Sequence, residues 1–465
     1  MKTKKFLVLY LSILFVFVLI RAWVIPFSHD ECQSYTIFAE HSSQGNTANN
    51  HWLNTWTAYP FYLLFGENEF ALRFPNLLIF ALYLVYCFKW AIKFKNFEVK
   101  FLTVVLLTAF PFMLDFFSMM RGYGMSFSFA LAALYHLVAL AEDREDKKQV
   151  EKALYFSLLA VLANFTMLIF YCAVVCMVGI LLLQQYKKEL FTVHFKKIIL
   201  RPLVINAVVL YYVLNWVLFL KSQGQLYYGS EGSFLMGTVQ SLAMVFFYKD
   251  RIEKGTTYMP LVDISTVILI VLVLYSFWRY KSNKGFFNLG VFVGILFTIP
   301  IALRYTLGFK YPLDRGAILF YIPAILLLPY FLQDLVKRHK VFNVLSKGIT
   351  LSLLSVWLFY FAVNANFSYF CMWQYDASTP YAVSQMKNNA DSVSIACSWP
   401  LEPSVNFYRK KFNILADSPT KTEVIKDEMC DFYLVFKNEA EQLPQQKIVL
   451  LKLFPLSNVQ MYRLK

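Results

Sequence analysis

Two adjacent carboxylates, Asp30 and Glu31, lie in the segment Pro26-Phe-Ser-His-Asp-Glu-Cys, directly after an apolar run at residues 6–24. A carboxylate there can take a proton from an attacking hydroxyl or amine, and partial desolvation beside a bilayer would raise its pKa and strengthen it as a base. The same pair also reads as solvated loop acids. A second polar element, Ala48-Asn-Asn50-His51-Trp, follows in the same loop. A third, Asp115-Phe-Phe-Ser-Met-Met-Arg121-Gly-Tyr123-Gly, joins two apolar runs. Ionisable side chains in or beside a span are rare and usually functional, although Asp115 and Arg121 also suit a structural pair across a short turn. A fourth element holds Arg304, Lys310, Asp314 and Arg315, and its guanidiniums suit two-pronged contact with a phosphate. Interfacial snorkelling, or pairing of Arg315 with Asp314, is the competing reading. His29, Asp30, Glu31 and His51 offer nitrogen and oxygen ligands without metal-specific spacing. No cofactor is therefore assigned, and a divalent metal stays open.

The elements that must position these residues follow from composition. The 465-residue chain is 58% hydrophobic, 18% aromatic and 16% charged, with mean hydropathy +0.50. Soluble domains hold roughly 45–50% apolar and about 25% charged residues. A soluble or disordered chain is excluded, and a polytopic membrane protein remains. Eleven apolar runs approach the length of a spanning helix: 6–24, 70–88, 101–118, 123–141, 153–164, 166–184, 202–220, 261–278, 287–303, 316–333 and 347–366. The first resembles a signal peptide at its start, but it is long and shows no small-x-small cleavage site before Pro26, so it reads as a retained anchor.

The net charge of +15 is topological rather than a sign of nucleic acid. Lys and Arg gather in alternate loops, for example Lys89, Lys93, Lys95 and Lys100, while residues 25–58 contain none. The positive-inside rule then predicts a cytoplasmic N-terminus and a C-terminal tail outside. It places the segments 25–58 and 221–260 as outer loops, the second with an interfacial helix over Phe234–Tyr248. Residues 1–366 form the membrane domain. Residues 367–465 have soluble composition, with predicted strands Ser392–Cys397, Phe412–Leu415, Phe432–Phe436, Ile448–Phe454 and Val459–Leu464 around helices Ser378–Asn388 and Pro403–Lys410. The fold class is thus mainly α, a helical bundle of about eleven spans carrying a small extracytoplasmic α/β domain. The seven cysteines form no C-x-x-C pair, and a disulfide among Cys371, Cys397 and Cys430 stays open.

In order, the motifs are an acidic pair after the first span, an Asn-His element, and Gly66 separated by six residues from Arg73-Phe-Pro entering the second span. This order resembles the GT-C membrane glycosyltransferases, among them the protein O-mannosyltransferases and lipid A aminoarabinose transferases of glycosyltransferase family 39. The resemblance covers residues 26–76, continues at 111–124, and is loose thereafter. It implies a hexosyl- or pentosyltransferase of the bacterial inner membrane, moving a sugar from a polyprenyl-phosphate donor to a lipid, glycan or protein acceptor. It places the catalytic base on Asp30, with Glu31 positioning the acceptor or Asp30, and Asp115 assisting as a second acid. Substrate and donor phosphate fall to Asn50, His51, Arg121, Tyr123 and Arg315, with Arg304 or Lys310 as second choices for the phosphate. Inversion with one base needs no covalent intermediate. Arg73 and Asn76 read as packing or interfacial anchors.

A transporter or flippase of lipid-linked sugars is the alternative. Transporters show matching halves and charged or broken helices at mid-membrane, whereas this sequence has no visible repeat and its charges cluster at the outer ends. A non-enzymatic assembly protein is a third reading, left open by the C-terminal segment.

Overall fold

The structure, a computed structural model, describes residues 2–143, 146, 148–185, 193–226, 228–248, 259–338, 340–387, 393–414, 420–421, 429–443 and 446–465. Leu415 and residues 249–258 of the loop 221–260 lie outside them. The helices in chain order are α1 (Lys2–Val24), α2 (His29–Ala39), α3 (Trp52–Phe65), α4 (Glu69–Ile92), α5 (Phe97–Thr108), α6 (Pro111–Asp115), α7 (Gly122–Glu142), α8 (Lys148–Ala163), α9 (Leu168–Gln185) and α10 (Val193–Ser222). After them come α11 (Gln240–Phe246), α12 (Met259–Trp278), α13 (Lys284–Leu307), α14 (Ile318–Val336), α15 (Lys340–Asn364), α16 (Thr379–Lys387) and α17 (Glu402–Lys411).

Among the described residues, eight helical segments are long and apolar enough to cross a membrane: α1, α4, α7, Phe165–Gln184, Leu200–Ser222, α13, α14 and α15. The chain is a multi-pass membrane protein. All eleven apolar runs fall on helices, but α5 and α8 have only 12 and 16 residues, and the apolar part of α12 covers Val262–Trp278. The run 101–118 is not one helix. It stops at Thr108 and restarts at Pro111, because proline lacks an N–H and disfavours helical backbone in the residue before it.

Helix α7 is the hub, buried along nearly its whole length and packed on α4, α8 and α13. At the other extreme α10, α12 and α15 expose rows of large apolar side chains, including Leu203, Val208, Val267, Leu274 and Phe359. Such rows suit lipid acyl chains and would be untenable in water. The stretch Phe234–Tyr248 is helical as far as Phe246, as its spacing predicts. Its end turns into the bundle, where Phe246 stacks on Tyr360 at 4.5 Å and Tyr248 is buried at φ 54°.

The C-terminal segment folds around five strands: β1 (Ile395–Cys397), β2 (Thr420–Lys421), β3 (Phe432–Phe436), β4 (Ile448–Phe454) and β5 (Val459–Leu464). Their order is β2-β1-β3-β5-β4, with β1 parallel to both its neighbours and β3, β5 and β4 antiparallel. Four of the five predicted strands and both helices are present. Phe412–Ile414 is not a strand. Asn413 takes a left-handed conformation (φ 53°), and the N–H groups of Asn413 and Ile414 donate to the carbonyls of Lys410 and Arg409, closing α17 in a Schellman cap.

This α/β unit does not stand apart from the bundle. Phe27, Cys32, Tyr35 and Phe38 share one buried cluster with Val383, Ile395, Phe407 and Met461. The phenol of Tyr408 accepts from the Phe27 N–H at 2.8 Å and donates to Glu69.

Candidate active site

Helix α2 begins where it does because Ser28-His-Asp-Glu31 is a capping box. The Ser28 hydroxyl takes the Glu31 N–H, and the Glu31 carboxylate takes the Ser28 N–H at 3.0 Å. Asp30 is thereby held in the first turn, where the helix dipole favours negative charge.

Asp30 is 6% exposed. Arg315 Nη1 donates to its Oδ2 at 2.6 Å, and Arg121 Nη2 lies 3.3 Å from the same atom. Burial alone would push its pKa up, but Arg315, Arg121 and His29 together hold the carboxyl well below the usual carboxylate range. The raised pKa expected at the bilayer surface is thus overturned. Two guanidiniums outweigh desolvation.

Glu31 is fully buried and engaged on both oxygens. Arg73 grips it from Nε at 2.7 Å and Nη2 at 2.8 Å, and the Met120 N–H donates at 2.7 Å. The remaining donors of Arg73 close on the carbonyls of Ala22, Ile25 and Pro26. Arg73 therefore ties the end of α1 to the start of α2. The interfacial reading of Arg73 does not survive, since it is wholly buried. Asn76 is also buried and donates to the carbonyls of Met119 and Arg121, fixing the turn before α7.

Arg121 reaches past Asp30 to Ser34 Oγ at 2.6 Å and Asn49 Oδ1 at 2.5 Å. Asn49, not Asn50, meets Arg121. Asn50 instead donates to the Gly45 carbonyl and accepts from Thr55. His51 lies beside Tyr123, ring centroids 4.7 Å apart, and its Nδ1 is 2.9 Å from the Ala163 carbonyl oxygen. Gly122 makes this crossing feasible. A Cβ there would stand 1.9 Å from that oxygen and 2.8 Å from His51 Cβ.

Arg315 lies 5.5 Å from each of the Tyr123, Tyr228 and Trp373 ring centroids. Tyr228 comes from the loop 221–260 and Trp373 from the segment after α15. Tyr228 donates to Asp314 at 2.6 Å, so Asp314 is engaged without Arg315.

Asp115 belongs to a different cluster. Arg21 pairs with it at 2.6 Å, Tyr248 donates at 2.9 Å, and the Cys371 N–H donates at 2.8 Å. An Asp115–Arg121 pair is therefore absent from the structure. Arg304 and Lys310 both bind Glu231, through its carbonyl at 3.1 Å and its carboxylate at 2.8 Å.

Of the residues singled out by sequence, the structure brings together Asp30, His51, Arg121, Tyr123 and Arg315. It adds Ser34, Asn49, Tyr228 and Trp373, none of which carries a local signature. Among the described residues no three His, Cys, Asp or Glu side chains converge as a cation site. At Asp30 two guanidiniums already surround the carboxylate, a donor set unsuited to a divalent cation.

No family model matches the chain, and no curated protein sequence matches it. Solved structures do. ArnT from Cupriavidus metallidurans in the apo state aligns with TM-score 0.51 at 12% identity, over 99% of this chain and 98% of that one. The same protein bound to undecaprenyl phosphate aligns with TM-score 0.53 at 12% identity, over 98% of each chain. From the first span through the C-terminal sheet, the chain has the fold of ArnT, the fold that the GT-C resemblance implies.

Proposed function

We propose that the protein is a glycosyltransferase that moves a sugar from a polyprenyl-phosphate donor to an extracytoplasmic acceptor, with Asp30 as base. The observation that carries this reading is the buried carboxylate of Asp30 paired with both Arg121 and Arg315, in a chain sharing the fold of a protein crystallised with undecaprenyl phosphate. The arginines are the groups a lipid phosphate would engage. In the present pairing Asp30 is a weak base, because its anion is stabilised twice. A phosphate competing for the guanidiniums would release it.

The acceptor O–H then gives its proton to Asp30 while its oxygen attacks the anomeric carbon. The bond from that carbon to the phosphate oxygen breaks, and the leaving phosphate keeps the electron pair under the charge of Arg121 and Arg315. The configuration inverts, and no covalent enzyme intermediate forms. Glu31 acts as a positioning residue, since Arg73 and the Met120 N–H saturate it. Asp115 with Arg21, and Arg304 with Lys310, take no part in the transfer.

Residues 1–366 act as the membrane domain and 367–465 as an extracytoplasmic unit above the site. The N-terminus lies in the cytoplasm. The deciding experiment incubates purified protein with undecaprenyl-phosphate hexoses and pentoses and follows sugar release and transfer to lipid, glycan and peptide acceptors. Turnover with one donor that disappears in Asp30→Asn supports the reading. Binding and movement of donors across a bilayer without cleavage would make the protein a transporter instead.

A further inference from the structure

Three buried polar atoms of this site have no hydrogen-bond partner within the described protein: Nε of Arg121, Nε of Arg315 and Nε2 of His51. Two are donors and the third is an acceptor. The Ala163 carbonyl oxygen can only accept, so the proton of His51 sits on Nδ1 and Nε2 presents a bare lone pair. The ring cannot easily turn away. It is 5% exposed, lies against Tyr123, and fits beside Gly122 only because that residue carries no side chain. Burial, with the charges of Arg121 and Arg315 nearby, keeps the imidazole neutral by holding its pKa well below the usual value. A neutral imidazole presenting a lone pair is no ligand for a phosphate oxygen. Its complement is an O–H.

We infer that Nε2 of His51 accepts a hydrogen bond from a ring hydroxyl of the donor sugar, making His51 a specificity residue of the pocket. The inference rests on the transferase reading. The pocket then recognises two features of one ligand, an anion at the arginines and a hydroxyl at His51. A donor lacking that hydroxyl leaves a buried acceptor unpaired, which is how sites built for a hydroxyl reject its deoxy analogue. Of the charged side chains of the site, Arg315 and Asp30 keep 16% and 9% exposure, while Arg121 keeps none.

The test uses full-length protein as wild type, His51→Asn and His51→Gln, with the preferred undecaprenyl-phosphate sugar and each of its monodeoxy derivatives. Asn keeps an N–H for Ala163 and loses the Nε2 acceptor, whereas Gln can place an oxygen near the Nε2 position. Wild type should lose about 10- to 100-fold in kcat/KM with one deoxy donor. His51→Asn should show a similar loss with the parent sugar and treat the two donors alike, and His51→Gln should recover most of the difference. If His51→Asn misfolds, the wild-type deoxy series and His51→Gln decide. Wild type that is indifferent to every deoxy position, or His51→Asn that discriminates as wild type does, overturns the assignment while leaving the transferase reading intact. Absence of cleavage with every donor overturns the reading itself, and the assignment with it.

Discussion

One carboxylate oxygen of Asp30 meets two arginines, and this decides how it responds to substitution and to pH. Asp30→Asn keeps the shape and removes the proposed base, so transfer should fall by about 10²–10⁴-fold. The protein should remain inserted and folded, because Arg121 keeps Ser34 and Asn49. The native pKa of Asp30 lies below its unfolded value, so the ion pairs stabilise the protein at neutral pH. That contribution fades as pH drops through the usual carboxylate range, about 4, and on through the depressed native value. Melting curves should show a gap between wild type and Asp30→Asn at pH 7 that narrows below pH ~4. A constant gap would mean the carboxylate is not held by these charges. Arg121→Lys and Arg315→Lys keep charge but lose the forked geometry, and each should weaken donor use by about 1–3 kcal/mol. Unchanged donor dependence with lowered melting would mark both arginines as structural.

At the scale of elements, the start of α2 is where sequence and structure correspond best. Ser28-His-Asp-Glu is a capping box legible in one dimension, and it places two carboxylates in one helical turn. It does not tell them apart. That distinction comes from Arg73, 42 residues on, which saturates Glu31, and from Arg315, 285 residues on, which binds Asp30. Periodicity reports the face of a helix, whereas these partners are chosen by how α1, α4, α7 and the turn before α14 pack. For the same reason Trp373 and Tyr228 were not legible, and the pairing of Asp115 with Arg21 displaced the nearer Arg121. Breaking a buried pair leaves an uncompensated charge, so Glu31→Gln should destabilise by about 3–5 kcal/mol. Thermal unfolding of Glu31→Gln tests this, and melting unchanged from wild type would count against a structural role for Glu31. Asp376 is the opposite case. Burial above all, with Asp30 and Glu31 adding, pushes its carboxyl well above the ordinary range. It accepts from the His29 N–H at 2.7 Å and from Ser404 at 2.6 Å. Its stabilising contribution therefore declines as pH rises above about 4, and Asp376→Asn should gain on wild type as pH rises from there. A variant that falls further behind as pH rises would refute that.

Across the whole molecule, alternation of basic loops with apolar runs foretold a membrane bundle and a separate soluble tail. The bundle is there, but the tail is joined to it through a common core. Under the proposed orientation, a cysteine replacing Asn438 should react with an impermeant reagent from outside, and one replacing Lys281 should not. Reversed labelling would invert the topology. The shared core also sets a timetable. Residues 27–38 leave the ribosome long before their partners: Phe27 stacks at 5.1 Å on Phe407, and the His29 N–H donates to Asp376, 347 positions downstream. During synthesis α2 must wait, partly unburied, until the segment after α15 has been made. A chain cut before residue 376 would leave α2 without Asp376 at the His29 N–H and without Phe407 against Phe27. Synthesis of the segment beyond α15 thus becomes a built-in licence for the burial of α2.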